Sequence, residues 1–228
     1  MARPSHANRL EQIADAALSA FSEKGFRLTQ VADVARIAGV APGTIYLFAE
    51  GKEALFWLAL GRAMGRPLEE VSCEAPSASD LRQKFAPNGA SPSLTSFLAE
   101  SNGTPPPPLE TVLAEFWATV EGAAPAISLV ERCAADWPEL AEAFYVELRP
   151  TVLRNLAQYL DEAAEAGVCR RVPDPFLAAR LIMETVAWFA MHRLGDPDGR
   201  LYAATAARNV TIDALVHAYG PVTTTEKP

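Results

Sequence analysis

Between Arg9 and Lys24 the apolar residues Leu10, Ile13, Ala14, Ala17 and Phe21 recur at helical spacing, while Glu11, Asp15, Ser19, Ser22 and Glu23 fall elsewhere on the wheel. The spacing predicts a helix with one buried face, ended at Gly25 by a left-handed turn. Thr29 is placed to cap a second helix carrying Val31, Val34, Ala35 and Ala38 and stopping at Gly39. Ala32 stands where Glu or Gln would complete a capping box. Pro42 suits the first turn of a short third helix through Thr44, Ile45, Tyr46, Leu47 and Phe48. After Glu50-Gly51-Lys52 a longer helix starts near Glu53, with Leu55, Phe56, Leu58, Ala59, Ala63 and Met64 apolar. Phe21, Ile37, Val40 and Ile45 are expected to fill a small core among these helices.

The texture changes over residues 67–108, which hold eight of the 18 prolines and seven serines. The islands Leu81/Phe85 and Leu94/Phe97/Leu98 predict at most a helical turn or two, and Pro105–Pro108 reads as an extended spacer. Helical periodicity returns over Leu109–Glu121, Pro125–Ala135, Pro138–Ala166, Asp174–Arg193 and Arg200–Tyr219, with Pro150 expected to kink or split the third of these. No alternating strand pattern occurs, and residues 221–228 read as a disordered tail. The predicted fold class is all-α. Leu153, Leu156 and Leu160 on one late helix, and Leu177, Leu181, Val186 and Phe189 on the next, form wide apolar stripes. Two such helices from each of two copies would make a four-helix bundle, so a homodimer is expected.

Twenty Lys and Arg against 28 Asp and Glu give a net charge of −8, which argues against bulk coating of nucleic acid. The average conceals an asymmetry. The first 66 residues hold eight basic and six acidic side chains, a balance of +2, and the remainder carries −10. Cys73, Cys133 and Cys169 are widely spaced, with no CxxC pair, so neither a disulfide framework nor a zinc site is expected. His192 and His217 lack a neighbouring ligand partner, and no metal or other cofactor is expected. With no signal-peptide pattern and no apolar run long enough to span a bilayer, the expectation is a cytoplasmic protein without a membrane partner.

Three short helices with a glycine at the tight turn have the spacing of a helix-turn-helix. The run Thr29-Gln30-Val31-Ala32-Asp33-Val34-Ala35-Arg36-Ile37-Ala38-Gly39-Val40-Ala41-Pro42-Gly43-Thr44-Ile45-Tyr46, followed by Leu47-Phe48-Ala49-Glu50-Gly51-Lys52-Glu53-Ala54-Leu55-Phe56, resembles the N-terminal domain of TetR/AcrR-family transcriptional regulators. The resemblance covers about residues 9–60; beyond it only the layout is similar. It implies a DNA-binding domain over 1–52, a connecting helix over 53–66, the irregular segment 67–108, and a helical regulatory and dimerisation domain over 109–220. It further implies a homodimer that binds double-stranded DNA at a palindromic operator, most often as a repressor, and answers an unknown small-molecule effector. By the same resemblance Tyr46 and Lys52 contact phosphates, and Thr29 and Ala41 belong to the DNA-facing set. Gly43 and Thr44 offer backbone N–H groups at the start of the recognition helix, and Pro42 and Leu47 suit thymine methyls. No Arg or Lys lies between Arg36 and Lys52, so that helix has no bidentate guanine reader of its own.

For the effector, Phe116, Trp117, Arg132, Tyr145, Glu184, Trp188 and His192 are candidate lining residues, set against the ordinary use of aromatics to fill a core. Arg132 and Glu184 matter if buried, because an unpaired buried charge is costly and invites a complementary ligand. Two rival readings are a helical enzyme, for which no nucleophile–base or phosphate-loop motif is present, and an interaction module whose helix-turn-helix is vestigial.

Overall fold

The computed structural model describes residues 6–68, 80, 91–100 and 103–221. No β-strand occurs among them, as the all-α reading expects. The Leu81/Phe85 island, Cys73, and residues 222–228 of the tail lie outside the described residues. Packing gathers the chain into two compact units, Met1–Lys84 with Pro125–Leu148, and Phe85–Ala124 with Arg149–Pro228. The linear cut at 52, 66 and 108 does not separate them, because the helix Leu109–Ala134 is shared between the two.

In the first unit α1 (His6–Leu28) lies along α4 (Lys52–Ala63), with α2 (Val31–Ile37) packed at the side of α1 and α3 (Pro42–Ile45) packed on α2. Ile13, Ala17 and Phe21 of α1 and Leu55, Phe56 and Leu58 of α4 are buried. Phe21 and Ile45 are core, as expected, but Ile37 is 41% exposed and Val40 half-buried. Ile37 lies two residues beyond buried Ala35, about 200° further round the wheel. The helix starts also differ from expectation. Thr29 is 1% exposed, and its Oγ donates to the carbonyls of Gly25 and Ala20 at 2.7 and 3.1 Å, closing the end of α1. Gln30 caps α2 instead, and Asp33 accepts the Gln30 N–H at 3.2 Å. Lys24, 3.0 Å away, holds the Asp33 carboxyl below its ordinary value.

One expected break, at Gly122, is absent. α6 (Leu109–Ala134) runs through Gly122 and Pro125; Pro125 and Glu121 are both exposed, so water can take the carbonyl that the proline leaves unpaired. The segment from Pro138 divides into α7 (Pro138–Ala141), a π-helical stretch Glu142–Leu148, and α8 (Arg149–Glu165). The wide turn directly precedes Pro150, as the expected split requires.

One junction orders the first unit. Gly25 is left-handed (φ 77°) and redirects α1, so the N–H groups of Phe26 and Arg27 need acceptors beyond the helix. Asp136 Oδ1 accepts both at 3.0 Å, and Arg132 donates to the Glu23 carbonyl at 3.2 Å. The Phe26 ring stacks on Trp137 with centroids 3.7 Å apart, and Phe56 meets Trp137 edge-on at 5.1 Å. Lys52 Nζ donates to the Arg27 carbonyl at 3.0 Å and sits 4.6 Å from the Phe26 centroid. Burial lowers the pKa of that ammonium, and it also lifts the Cys133 thiol to about 12, with Asp136 adding to the rise.

The second unit contains α5 (Pro92–Ala99), the first part of α6, α8, α9 (Pro175–Ala190) and α10 (Ala204–Tyr219). Leu113, Trp117, Leu156, Tyr159, Ile182 and Val186 fill its core. The Pro105–Pro108 run is docked rather than a free spacer, since the Tyr159 hydroxyl donates to the Pro107 carbonyl at 2.7 Å. Glu115 fastens α5: it accepts from Ser91 Oγ at 2.6 Å and from the Ser93 hydroxyl and N–H at 2.7 and 2.9 Å. Burial alone would raise its pKa, but these three donors bring the carboxyl below its ordinary value.

Asp136→Ala strands two backbone donors and is expected to lower unfolding free energy by about 1–3 kcal/mol in denaturant titration, with Asp136→Asn milder. Gly25→Ala should cost about as much, because it forces a side chain into the left-handed region and its Cβ would stand 2.8 Å from Arg132 Nη1. Because the folded Glu115 pKa is depressed, its stabilisation is present above pH 4.5 and lost as pH falls through the folded value. The stability gap between wild type and Glu115→Gln should therefore shrink between about pH 7 and about pH 3. An unchanged gap would assign the anchoring to uncharged contacts.

Candidate nucleic-acid interface

The turn between α2 and α3 is made by Gly39 at φ 65°, with the Val40 N–H returning to the Ala35 carbonyl at 3.0 Å. Ala41 is extended and Pro42 opens α3, which is one turn long and held inward by Ile45, with no exposure. That single anchor turns the neighbouring side chains outward. Ala41, Pro42 and Gly43 are exposed, Thr44 is half-buried, and Tyr46 and Leu47 are 57% and 72% exposed. Phe48 and Ala49 turn back into the core, where His6 at the start of α1 lies 4.6 Å from the Phe48 ring.

Six of the eight residues expected to face DNA therefore stand together: Ala41, Pro42, Gly43, Thr44, Tyr46 and Leu47. Thr29 does not, since its hydroxyl is sealed between two carbonyls of α1. Lys52 is half-buried and its ammonium is engaged by Arg27 and Phe26, so the positive charge at the start of α4 is answered from within the protein. The Thr44 amide donates to the Ala41 carbonyl at 2.8 Å and is not available as a phosphate donor.

The seven effector candidates divide between the two units. Arg132 and Tyr145 belong to the first unit and are exposed; the other five belong to the second. Glu184 is half-buried but paired, to Arg149 at 2.5 Å and Arg180 at 2.7 Å, so it offers no vacant charge. Trp188 is exposed and lies 6.0 Å from the half-buried His192 ring. Phe116 and Trp117 are buried, and Trp117 Nε1 is a sealed donor with no hydrogen-bond acceptor among the described residues. A groove of about 530 Å³ in the second unit, lined by Glu110, Ala114, Arg208, Ile212 and Asp213 among others, includes none of the seven.

The sequence reading missed Asp136 and Arg193. The acid immediately before Trp137-Pro138 marks the end of a helix and was the available signal for the first. Nothing in the local pattern distinguished Arg193. The expected dimer stripe also needs correction. Leu153, Leu156 and Leu160 of α8 are buried within their own unit, whereas α9 leaves Phe176, Leu177, Leu181 and Trp188 about half exposed, and α10 leaves Val210 exposed.

Among the described residues no helix is long and apolar enough to cross a membrane, and no cluster of side chains has a metal-binding arrangement. Residues 13–57 match the bacterial regulatory proteins of the tetR family, and residues 119–220 match the C-terminal domain of AefR-like transcriptional repressors. A fatty acid metabolism regulator protein of Bacillus subtilis is 35% identical over 75 residues, which is 33% of this chain and 39% of that protein. FadR from Bacillus subtilis, solved in complex with stearoyl-CoA, shares the fold at 23% identity and a TM-score of 0.53, covering 90% of this chain and 96% of the other. The ketosteroid transcriptional regulator KstR2 of Mycobacterium tuberculosis does so at 15% identity and a TM-score of 0.60, covering 96% and 98%. With matches at both ends of the chain and a helix-turn-helix presenting Pro42, Gly43, Tyr46 and Leu47 outward, the protein belongs to the TetR family of transcriptional regulators.

Proposed function

We propose that the protein is a homodimeric repressor that binds a palindromic operator through α3 and the turn after it, and releases it when a small molecule binds the second unit. The observation that carries the DNA reading is the exposure of Tyr46 and Leu47 beside Pro42 and Gly43, on a segment otherwise pinned by Ile45. An aromatic and an aliphatic side chain held in water serve no core, and their neighbourhood suits contact with sugar–phosphate and thymine methyls. In this reading Lys52 acts indirectly: it fixes the start of α4 against the end of α1 and so sets the angle of the reading segment. The thin set of cations suits modest affinity with steep sequence dependence on shape and methyl contacts.

For the effector, the sealed Trp117 Nε1–H supports a ligand with an oxygen acceptor, because an unpaired buried donor is costly until something accepts from it. An apolar small molecule bearing a carbonyl meets that description. For the dimer, the exposed apolar residues of α9 and α10 support a four-helix bundle, with α9 and α10 replacing the pairing of α8 and α9 that periodicity favoured.

In a mobility-shift titration against the protein's own upstream DNA, Tyr46→Ala should weaken binding about 10-fold, the size of one or two lost contacts. Thr29→Ser, whose hydroxyl never meets DNA, should bind as wild type. Failure of wild type to shift any fragment would favour the vestigial module instead. Leu181→Glu combined with Trp188→Glu should turn the dimer into a monomer in light scattering at micromolar concentration, while the same pair of changes at Leu153 and Leu156 should unfold the unit rather than dissociate it.

A further inference from the structure

The face that α9 turns to solvent carries a charge in the middle of an apolar stripe. Leu177, Leu181, Glu184 and Trp188 follow one another at steps of four, three and four residues, so at 3.6 residues per turn they fall within an arc of about 60°. Leu177, Leu181 and Trp188 are 56%, 54% and 48% exposed, whereas Ile182, Met183 and Val186 on the opposite face are buried. Two arginines reach the interrupting carboxylate, Arg149 from the start of α8 at 2.5 Å and Arg180 from the preceding turn of α9 at 2.7 Å. Both bond to the same oxygen, Oε1. Oε2 accepts from no described residue, and Arg180 engages only Nε, so its two terminal nitrogens are also uncommitted among the described residues. Both groups are open to solvent, with the Arg180 and Glu184 side chains 46% and 43% exposed. The stripe therefore presents a spare acceptor and a spare pair of donors one helical turn apart.

Such a pattern is complementary to itself. A two-fold axis passing between residues 182 and 183 lays α9 antiparallel on a copy of itself, setting Leu177 against the partner's Trp188 and Leu181 against the partner's Glu184. At 1.5 Å of rise per residue, Arg180 then stands about 2 Å along the axis from the partner's Glu184, against about 6 Å from its own. Arg180 and Glu184 lie on the same flank of the stripe, and the two-fold brings that flank of both helices to one side. A wholly apolar partner would cover the leucines and strand the carboxylate oxygen and the guanidinium, whereas a second copy answers both.

We propose that α9 pairs antiparallel with α9 of a second copy and that Arg180 of each chain donates to Oε2 of the partner's Glu184, so that two crossed bonds set the register of the dimer and select an identical partner. The inference rests on the homodimer reading and adds the axis, the register and the side chains that cross it. An apolar stripe alone can slip by a turn, while a charged position within it fixes one alignment. Arg149 holds the carboxylate from its own subunit and leaves Oε2 for the partner.

The test uses two full-length variants of opposite sign: Arg180→Glu, acidic at both 180 and 184, and Glu184→Arg, basic at both. Alone, each should dimerise about 10-fold or more weakly than wild type in sedimentation equilibrium, because like charges then meet across the axis. Mixed in equal amounts, with one chain tagged, they should form the heterodimer well above its statistical share in native mass spectrometry. An ion pair that serves only its own helix is lost in both variants and gives statistical mixing. Statistical mixing with wild type still dimeric therefore overturns this proposal and leaves the dimer reading standing. A wild-type monomer at micromolar concentration overturns the dimer reading and this inference with it. Should a reversal fail to fold by circular dichroism, Arg180→Ala, Glu184→Ala and the double variant take its place. A bond within one chain is present in monomer and dimer alike and cancels from the dimerisation constant, so coupling between the two changes supports the crossed bonds and strict additivity overturns them.

Discussion

The first unit depends on where two backbone N–H groups go. Once Gly25 turns left-handed, Phe26 and Arg27 present donors that α1 itself cannot satisfy, and one carboxylate, Asp136, takes both. Everything else at the junction follows from the position that this fixes. The Phe26 ring is delivered against Trp137, the Arg27 carbonyl is delivered to Lys52, and the cation comes to rest over the Phe26 ring. Each contact is modest alone; together they tie the end of α1, the start of α4 and residues 132–137 into one body, in which α3 has a defined direction.

In the proposed function, that body lets a segment with so little charge be specific. Electrostatic attraction tolerates slack, because a long lysine can find a phosphate from many positions. Contacts to methyl groups and sugar edges do not, since they fall off over a fraction of an ångström. In the proposed reading, contacts through Pro42, Tyr46 and Leu47 need a rigid support, and Ile45 inside with Asp136 behind supplies it.

Much of this was legible in the sequence. Helical spacing located α1, α2 and α4 within a few residues, and the Gly39–Tyr46 run located the turn and the short exposed helix after it. What periodicity could not supply was the partner of each face. Leu153 and Leu177 look alike in a helical stripe, yet one is inside its unit and the other outside, because the difference lies in which helices pack against them. Polar roles were harder still. Thr29 and Lys52 have the right chemistry for DNA, but each donates instead to a carbonyl of α1 that periodicity does not reveal. Arg132 and Glu184 invited attention as charges among apolar residues, whereas the charge that is buried, Arg193, sits in a turn with no periodicity to expose it.

The thiol beside the junction has a consequence of a different kind. Cys133 has no exposure, and burial next to Asp136 lifts its pKa to about 12, so at neutral pH almost none of it is thiolate. A sulfur in that state is a poor target for peroxide, alkylating reagents or disulfide exchange. The junction that orders the first unit therefore carries a chemically quiet sulfur: held inside and protonated, Cys133 gives oxidants and disulfide exchange little to react with.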